Sequence, residues 1–297
     1  MASFHVYAGE DSGAAAPKIR RIGLSDIRTA LAQGFDDFWA MPSHLAFIAI
    51  VYPLCGAILA GFASRQNVLQ LLFPLASGFA LVGPFAAIGL YEMSRRRELG
   101  LDTSWRHALN VVRSPSIPSI AALGLILLAL FFCWLFAAQA LYASLYGASP
   151  PASLQGFLAD VVSTSRGWTL MFWGFAIGGC FAAVALAISA VSFPLLLDRD
   201  AGLTTAVATS VAVVLANPVT MALWGLLVAA ALVLGSLPAF LGLILVMPVL
   251  GHATWRLYRL AVERDPAQEH PVAPLSESLG PTPKERVTPH SFLFPER

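Results

Sequence analysis

His44, His107, His252 and Glu92 are the residues of this chain whose types could do chemistry together. Imidazole nitrogens and a carboxylate oxygen form a donor set that suits a transition metal or a haem. His44 precedes the first apolar stretch, Glu92 stands at the exit of the second, His252 at the exit of the last, and His107 lies in a linker on the same side. The plainer reading treats all four as interfacial groups hydrated by headgroups and water, and no metal or cofactor is expected. Glu92 has Arg95 and Arg96 three and four residues on, the spacing at which a continuing helix brings side chains together. An ion pair closing the helix end is therefore expected, with a proton- or substrate-coupling carboxylate as the sharper alternative. The run Arg95-Arg96-Arg97 reads as a cytosolic topology anchor at anionic lipid, or as a contact for an acidic partner.

Other reactions find no footing in the residues. The sequence has no phosphate-binding glycine loop with a following Lys, no His-Glu-x-x-His, no Gly-x-Ser-x-Gly and no paired intramembrane carboxylates, so no enzyme is expected. Cys55, Cys133 and Cys180 fall near the middle of apolar stretches without metal or redox spacing, where a thiol behaves as a small hydrophobe.

The elements that must carry these residues follow from composition. Of 297 residues, 57% are hydrophobic and only 12% charged, about half the charge of a soluble domain. A net charge of +1 offers nothing to a nucleic acid. Uncharged runs at roughly 45–63, 69–91, 119–146, 168–197, 219–236 and 238–255 each approach the length of about 20 residues that crosses a bilayer as helix. Peptide groups in hydrocarbon must be paired within their own helix, so an all-helical membrane bundle of about six spans is expected. The last two runs form one apolar block, which Gly235-Ser236-Leu237-Pro238 divides into two short spans or a re-entrant hairpin. No small-residue cleavage site precedes the first run, so no removable signal peptide is read.

With six spans, sixteen of the eighteen Lys and Arg residues fall on one side, leaving Arg65 and Arg166 on the other. The positive-inside rule then puts both termini in the cytoplasm. Ahead of the first span, Leu24, Ile27, Leu31, Phe35 and Phe38 recur at three- and four-residue steps, which predicts an amphipathic interfacial helix over 24–41, at the membrane surface or packed beneath the spans. Residues 1–23 read as a flexible tail, 24–260 as the membrane domain and 261–297 as a disordered Pro-rich cytosolic tail. Pro53, Pro74, Pro84, Pro194 and Pro248 interrupt five of the apolar stretches, and Gly174 with Gly178 makes a Gly-x-x-x-Gly pair suited to packing within the bundle.

A weak internal repeat pairs Arg97-Glu98-Leu99-Gly100-Leu101-Asp102-Thr103 with Arg199-Asp200-Ala201-Gly202-Leu203-Thr204-Thr205, each followed by a helix-like stretch and a proline at the mouth of the next span. Both lie on the same side, so the units would be parallel. Internal repeats occur in transporters.

Phe73-Pro74-Leu75, Gly78-Phe79-Ala80, Gly83-Pro84-Phe85 and above all Gly89-Leu90-Tyr91-Glu92-Met93-Ser94-Arg95-Arg96-Arg97-Glu98, together with Asp26, Ala30-Leu31, Gly34, Asp37 and Pro42, resemble an uncharacterised bacterial integral-membrane family. It is a domain-of-unknown-function family found largely in proteobacteria, and the resemblance covers roughly residues 20–260. It implies an inner-membrane location and several helices, and brings no activity, substrate or catalytic residue. Three functions follow as expectations: a non-catalytic accessory, assembly or scaffold component of a larger membrane complex; a small permease or channel for a neutral or apolar solute; and a metal or haem-binding membrane protein.

Overall fold

A computed structural model describes residues 17–41, 56, 57, 61, 69–71, 74, 75, 87–104, 111, 114–237, 241–266 and 269. Within them the chain is helical: α1 Leu24–Ala40, α2 Ile88–Glu98, α3 Ile117–Tyr146, α4 Leu154–Ser163, α5 Ser165–Ser189, α6 Ser192–Asp198, α7 Gly202–Ala216, α8 Pro218–Ser236 and α9 Leu243–Ala261. Local chemistry sets several ends. The Asp26 carboxylate accepts from the Gly23 amide at 2.7 Å to open α1, and the Ser153 and Thr164 hydroxyls accept from amides in the first turns of α4 and α5. Pro218 occupies the first position of α8, where no amide hydrogen is needed.

Among the described residues, three helices are long and apolar enough to cross a membrane: α3, α5 continued by α6 (Ser165–Asp198), and α8. They correspond to the third, fourth and fifth expected spans, with a break at Ala190 and Val191 inside the fourth. Only 22% of an apolar 18-residue stretch of α3 and 17% of one of α8 is buried in the protein, and their outward side chains are apolar, as lipid-facing helices require. The first two expected spans fall largely outside the described residues. The sixth is not among the three. The turn does divide the apolar block near Gly235, but α9 begins at Leu243 and runs on to Ala261, and it is not among the membrane-length apolar helices. Its second half carries His252, Arg256, Tyr258 and Arg259, which pack inward on other helices.

α9 makes its most extensive contact with α1 and also packs on α2, while α3 pairs with α5 and α6 with α2 and α7. In the α3–α5 seam the ring of Trp134 lies against Gly178, where an added Cβ would come within 3.0 Å of it. Trp134 Nε1 also donates to the Pro74 carbonyl at 3.2 Å. Gly174, the other member of that glycine pair, faces open space.

α1 does not lie detached at the surface. Ile27, Ala30, Gly34 and Asp37 are buried against the bundle, Leu31 and Phe38 are half-buried, and Leu24, Phe35 and Trp39 stay exposed. The docked face is one step round the helix from the predicted apolar stripe. Chain ahead of α1 is bonded too. Arg20 N donates to the Ala261 carbonyl and Glu263 N to the Lys18 carbonyl, an antiparallel bridge between Ile19 and Val262. Asn217, at the α7–α8 corner, accepts from Ile22 N at 2.8 Å and donates to the Arg20 carbonyl at 3.2 Å. The flexible tail expected to reach residue 23 thus gives way to bonded chain by Lys18.

The two arms of the internal repeat share a backbone feature. Gly100 and Gly202 both adopt φ of 69°, a left-handed conformation that costs a residue with a Cβ roughly 1–2 kcal/mol. Gly100 closes α2 with paired bonds, Gly100 N to the Arg97 carbonyl and Leu101 N to the Arg96 carbonyl. An added Cβ at Gly100 meets nothing within 4 Å. Gly100→Ala should therefore lower stability in detergent by about 1 kcal/mol through backbone strain alone, read as a modest drop in the thermal midpoint with helicity retained.

Candidate functional site

The ionisable groups of four helices meet at one end of the bundle, and Asp37 is the first of two centres there. α1 carries Asp37 inward, completely buried. α9 presents Arg256 as a fork, Nε to Oδ2 at 3.0 Å and Nη2 to Oδ1 at 2.8 Å. From α2, Arg97 Nη1 pairs with Oδ1, and Ser94 Oγ donates to Oδ2 at 2.7 Å. Ser94 Oγ also lies 2.6 Å from His252 Nδ1. A serine hydroxyl has one proton, which goes to the carboxylate, so the imidazole Nδ1 carries the hydrogen of the second bond. Ser94 and His252 are fully buried as well. On the solvent side an open pocket of about 300 Å³ is lined by Gln33, Asp36, Asp37, Arg97 and Arg256.

Arg259, one helical turn beyond Arg256, joins the second centre. Its Nε donates to Glu98 Oε1 at 2.9 Å and its Nη1 to Asp198 Oδ2 at 2.9 Å. Glu98 also accepts from Trp255 Nε1 at 3.1 Å, and Asp198 from the Tyr258 hydroxyl at 2.6 Å. Arg95 and Arg199 flank Asp198 at 3.6 and 3.7 Å. Glu269 holds Arg259 at 3.2 Å and Arg264 at 2.8 Å. One guanidinium therefore ties the exits of α2 and α6, the two arms of the repeat, to the last helix.

Electrostatics follow from this crowding. Burial by itself would push the Asp37 carboxyl up, but the Arg256 bonds and charge, then Ser94 and Arg97, hold it below the ordinary 3.8. Burial opposes the charge on Arg259, and Glu98 and Asp198 outweigh it, strengthening its hold on its proton. Burial likewise raises Glu269, and Arg264 with Arg259 bring it below its ordinary value. Because the folded state binds the Asp37 proton less tightly than the unfolded chain, its contribution is complete above about pH 3.8 and is lost as pH falls through the lower folded value. The gap in thermal midpoint between the wild type and Asp37→Asn should accordingly be constant from pH 7 to about 4 and narrow below it, a titration of detergent-solubilised protein being the check.

The sequence-derived candidates divide cleanly. Glu92 pairs with Arg95 at 3.5 Å and Arg96 at 3.7 Å, the expected three- and four-residue contacts. All three are buried, so Arg95 and Arg96 face protein rather than headgroups, and Arg97 is the member of the run that reaches outward. His252 is engaged by Ser94, with Asp37 as that serine's acceptor. His44 and His107 lie outside the described residues, among which no group of three His, Cys, Asp or Glu is placed to hold a metal ion. Asp37, Glu98, Asp198, Tyr258, Arg256 and Arg259 were not singled out by spacing. The available signal for Asp37 was an acid in register with Ile27, Ala30 and Gly34, on a face that otherwise has small or apolar side chains.

Residues 72–198 match the model of a family described as a predicted integral membrane protein of unknown function, DUF2189. The match runs from the second apolar stretch through α6 and includes the Gly89–Glu98 signature, a narrower span than the 20–260 over which a resemblance was expected. No match was found among curated proteins or among solved structures.

Proposed function

We propose that this integral membrane protein is a non-catalytic accessory or assembly component that packs against a larger complex in the bacterial inner membrane, both termini facing the cytoplasm. The observation that carries the reading is the pairing of charges at one end of the bundle. Asp37, Glu98 and Asp198 are held by Arg97, Arg256 and Arg259 in a frame that fixes α1, α2, α6 and α9 against one another. Such a network stabilises one arrangement of helices and leaves its carboxylates engaged rather than offered to a substrate. Arg95, Arg96, Arg97, Arg199, Arg256, Arg259 and Arg264 share that end, while Arg166 lies at the far end of α3, stacked 4.3 Å over Tyr146. This asymmetry supports a cytoplasmic placement of the charged end. The outward faces of α3 and α8 are broad enough for both lipid and a companion subunit.

A permease for a neutral or apolar solute is the second reading, favoured by the helix break at Ala190 and Val191 and by Pro248 inside α9. Affinity purification of the full chain from native membranes in mild detergent, followed by mass spectrometry, separates the two. A companion retained at fixed ratio is the expected result. Recovery of the chain alone, together with solute uptake by vesicles reconstituted from it, would replace the first reading by the second.

A further inference from the structure

α4 lies in the loop from Gly147 to Gly167, at the end of the bundle opposite the charged network, and its two sides have unlike chemistry. One side is anchored. Phe157 packs edge-on against Tyr142 and Tyr146 at 5.9 and 5.8 Å, and those two rings stack at 5.2 Å. Asp160, the helix's single charged residue, pairs with Arg166 at 3.5 Å. Gly167 brings α5 so close that an added Cβ would sit 2.3 Å from the Val161 carbonyl oxygen. The joint between α4 and α5 is therefore tight and the orientation of α4 is fixed.

Beside that anchored side runs a stripe of large apolar side chains, Leu154, Leu158 and Val162, exposed by 38, 54 and 61%. At four-residue steps they fall within a quarter turn of one another. Gln155 borders the stripe beside Val162, and Ala159, Ser163 and Gly156 occupy the arc beyond it. A helix bathed in water places charge outward, whereas this one directs its only charge onto Arg166 and leaves its apolar stripe bare.

Position decides what covers the stripe. α3 is thirty residues long, about 45 Å at 1.5 Å per residue, against a hydrocarbon core of about 30 Å. Its last turns, carrying Tyr142 and Tyr146, therefore reach the headgroup level, the depth at which tyrosines and tryptophans collect. α5 starts from that same level two residues after α4 ends, with Trp168 and Phe172 exposed on its first turns. The stripe is thus continuous in depth with the lipid-facing surfaces of two spans.

We propose that α4 is a second interfacial helix, seated in the bilayer boundary at the end of the bundle away from the charged network, with Leu154, Leu158 and Val162 in the acyl chains and Ser163 toward water. Its occupant is phospholipid. The helix acts as a float that sets the depth and tilt of α3 and α5, and it does so whether or not a companion subunit exists.

The test uses the full chain with Cys55, Cys133 and Cys180 replaced by Ala, reconstituted into phosphatidylethanolamine and phosphatidylglycerol vesicles. Leu158→Cys, Val162→Cys and Ser163→Cys are each labelled with an environment-sensitive nitrobenzoxadiazole dye. At positions 158 and 162 the dye should emit to the blue and be quenched several-fold more by nitroxide-labelled lipid than at 163, where aqueous iodide should quench instead. Iodide quenching at 158 and 162 would overturn the proposal. So would protection from both quenchers, the mark of a protein surface lying on the stripe. Two stripe positions guard against one replacement disturbing the fold, and circular dichroism of each variant confirms helicity.

Discussion

Replacing Asp37 with Ala is expected to cost about 3–5 kcal/mol of stability, the range for removing one partner of a buried ion pair. The carboxylate has three donors, the Arg256 fork, Arg97 and Ser94. Without it, Arg256 keeps a charge in the α1–α9 seam with the more distant Glu98, 3.9 Å away, in place of its close fork, and the Ser94 proton must turn elsewhere. Asp37→Asn should fall between, because one amide oxygen still accepts while the amide nitrogen opposes a guanidinium. Thermal unfolding in mild detergent gives the number, and the double replacement with Arg256→Ala should cost clearly less than the sum of the singles. Additive losses would show that the pair is not coupled.

The second large effect is steric. A Cβ on Gly34 would stand 2.7 Å from the Ala253 backbone nitrogen and 2.8 Å from its Cα, and Ala253 is fully buried. Backbone cannot swing aside as a side chain can. Gly34→Ala should cost about 1–3 kcal/mol by overpacking. Gly34→Leu should go further and push α1 off α9, which also draws Asp37 away from Arg256. Ala30, completely buried on the same face, supplies a readout. In a background without the native cysteines, Ala30→Cys should resist a maleimide in the parent and react once Gly34→Leu is added. Equal labelling in both would mean that α1 stays docked and that the close approach at Gly34 is dispensable.

Helicity was legible wherever long apolar runs left the backbone no other way to satisfy itself, and α3, α5 with α6, and α8 follow the expected third, fourth and fifth spans within a few residues. The faces were less legible. Periodicity gives weight to large side chains, so it picked out Leu24 and Phe35, whereas the α1–α9 seam is built from Ala30, Gly34 and a paired acid that let the two backbones approach. Glu92 with Arg95 and Arg96 could be read because the three residues are neighbours on one turn. Asp37 with Ser94 and Arg256 could not, because the chain between them is long and nothing local records the meeting. α4 has ten residues, too few to register as a span. Ser153 before Leu154 was the one local sign of a helix start. His252, expected at a helix exit, stands in the middle of α9, which continues to Ala261, and its engagement with Ser94 needed the fold.

The docking of α1 on α9 also bears on synthesis. The first of the described helices finds its main seat on the last of them, and the Ile19–Val262 bridge joins the same two regions. While the ribosome is still translating, α1 has no surface to settle on and Asp37 has no arginine fork to meet. Docking of α1 is therefore deferred until α9 leaves the ribosome, since contacts so distant in sequence form late. A prematurely terminated chain would expose an unsatisfied acid and a bare seam, a conspicuous signal to the proteases that clear unfinished membrane proteins.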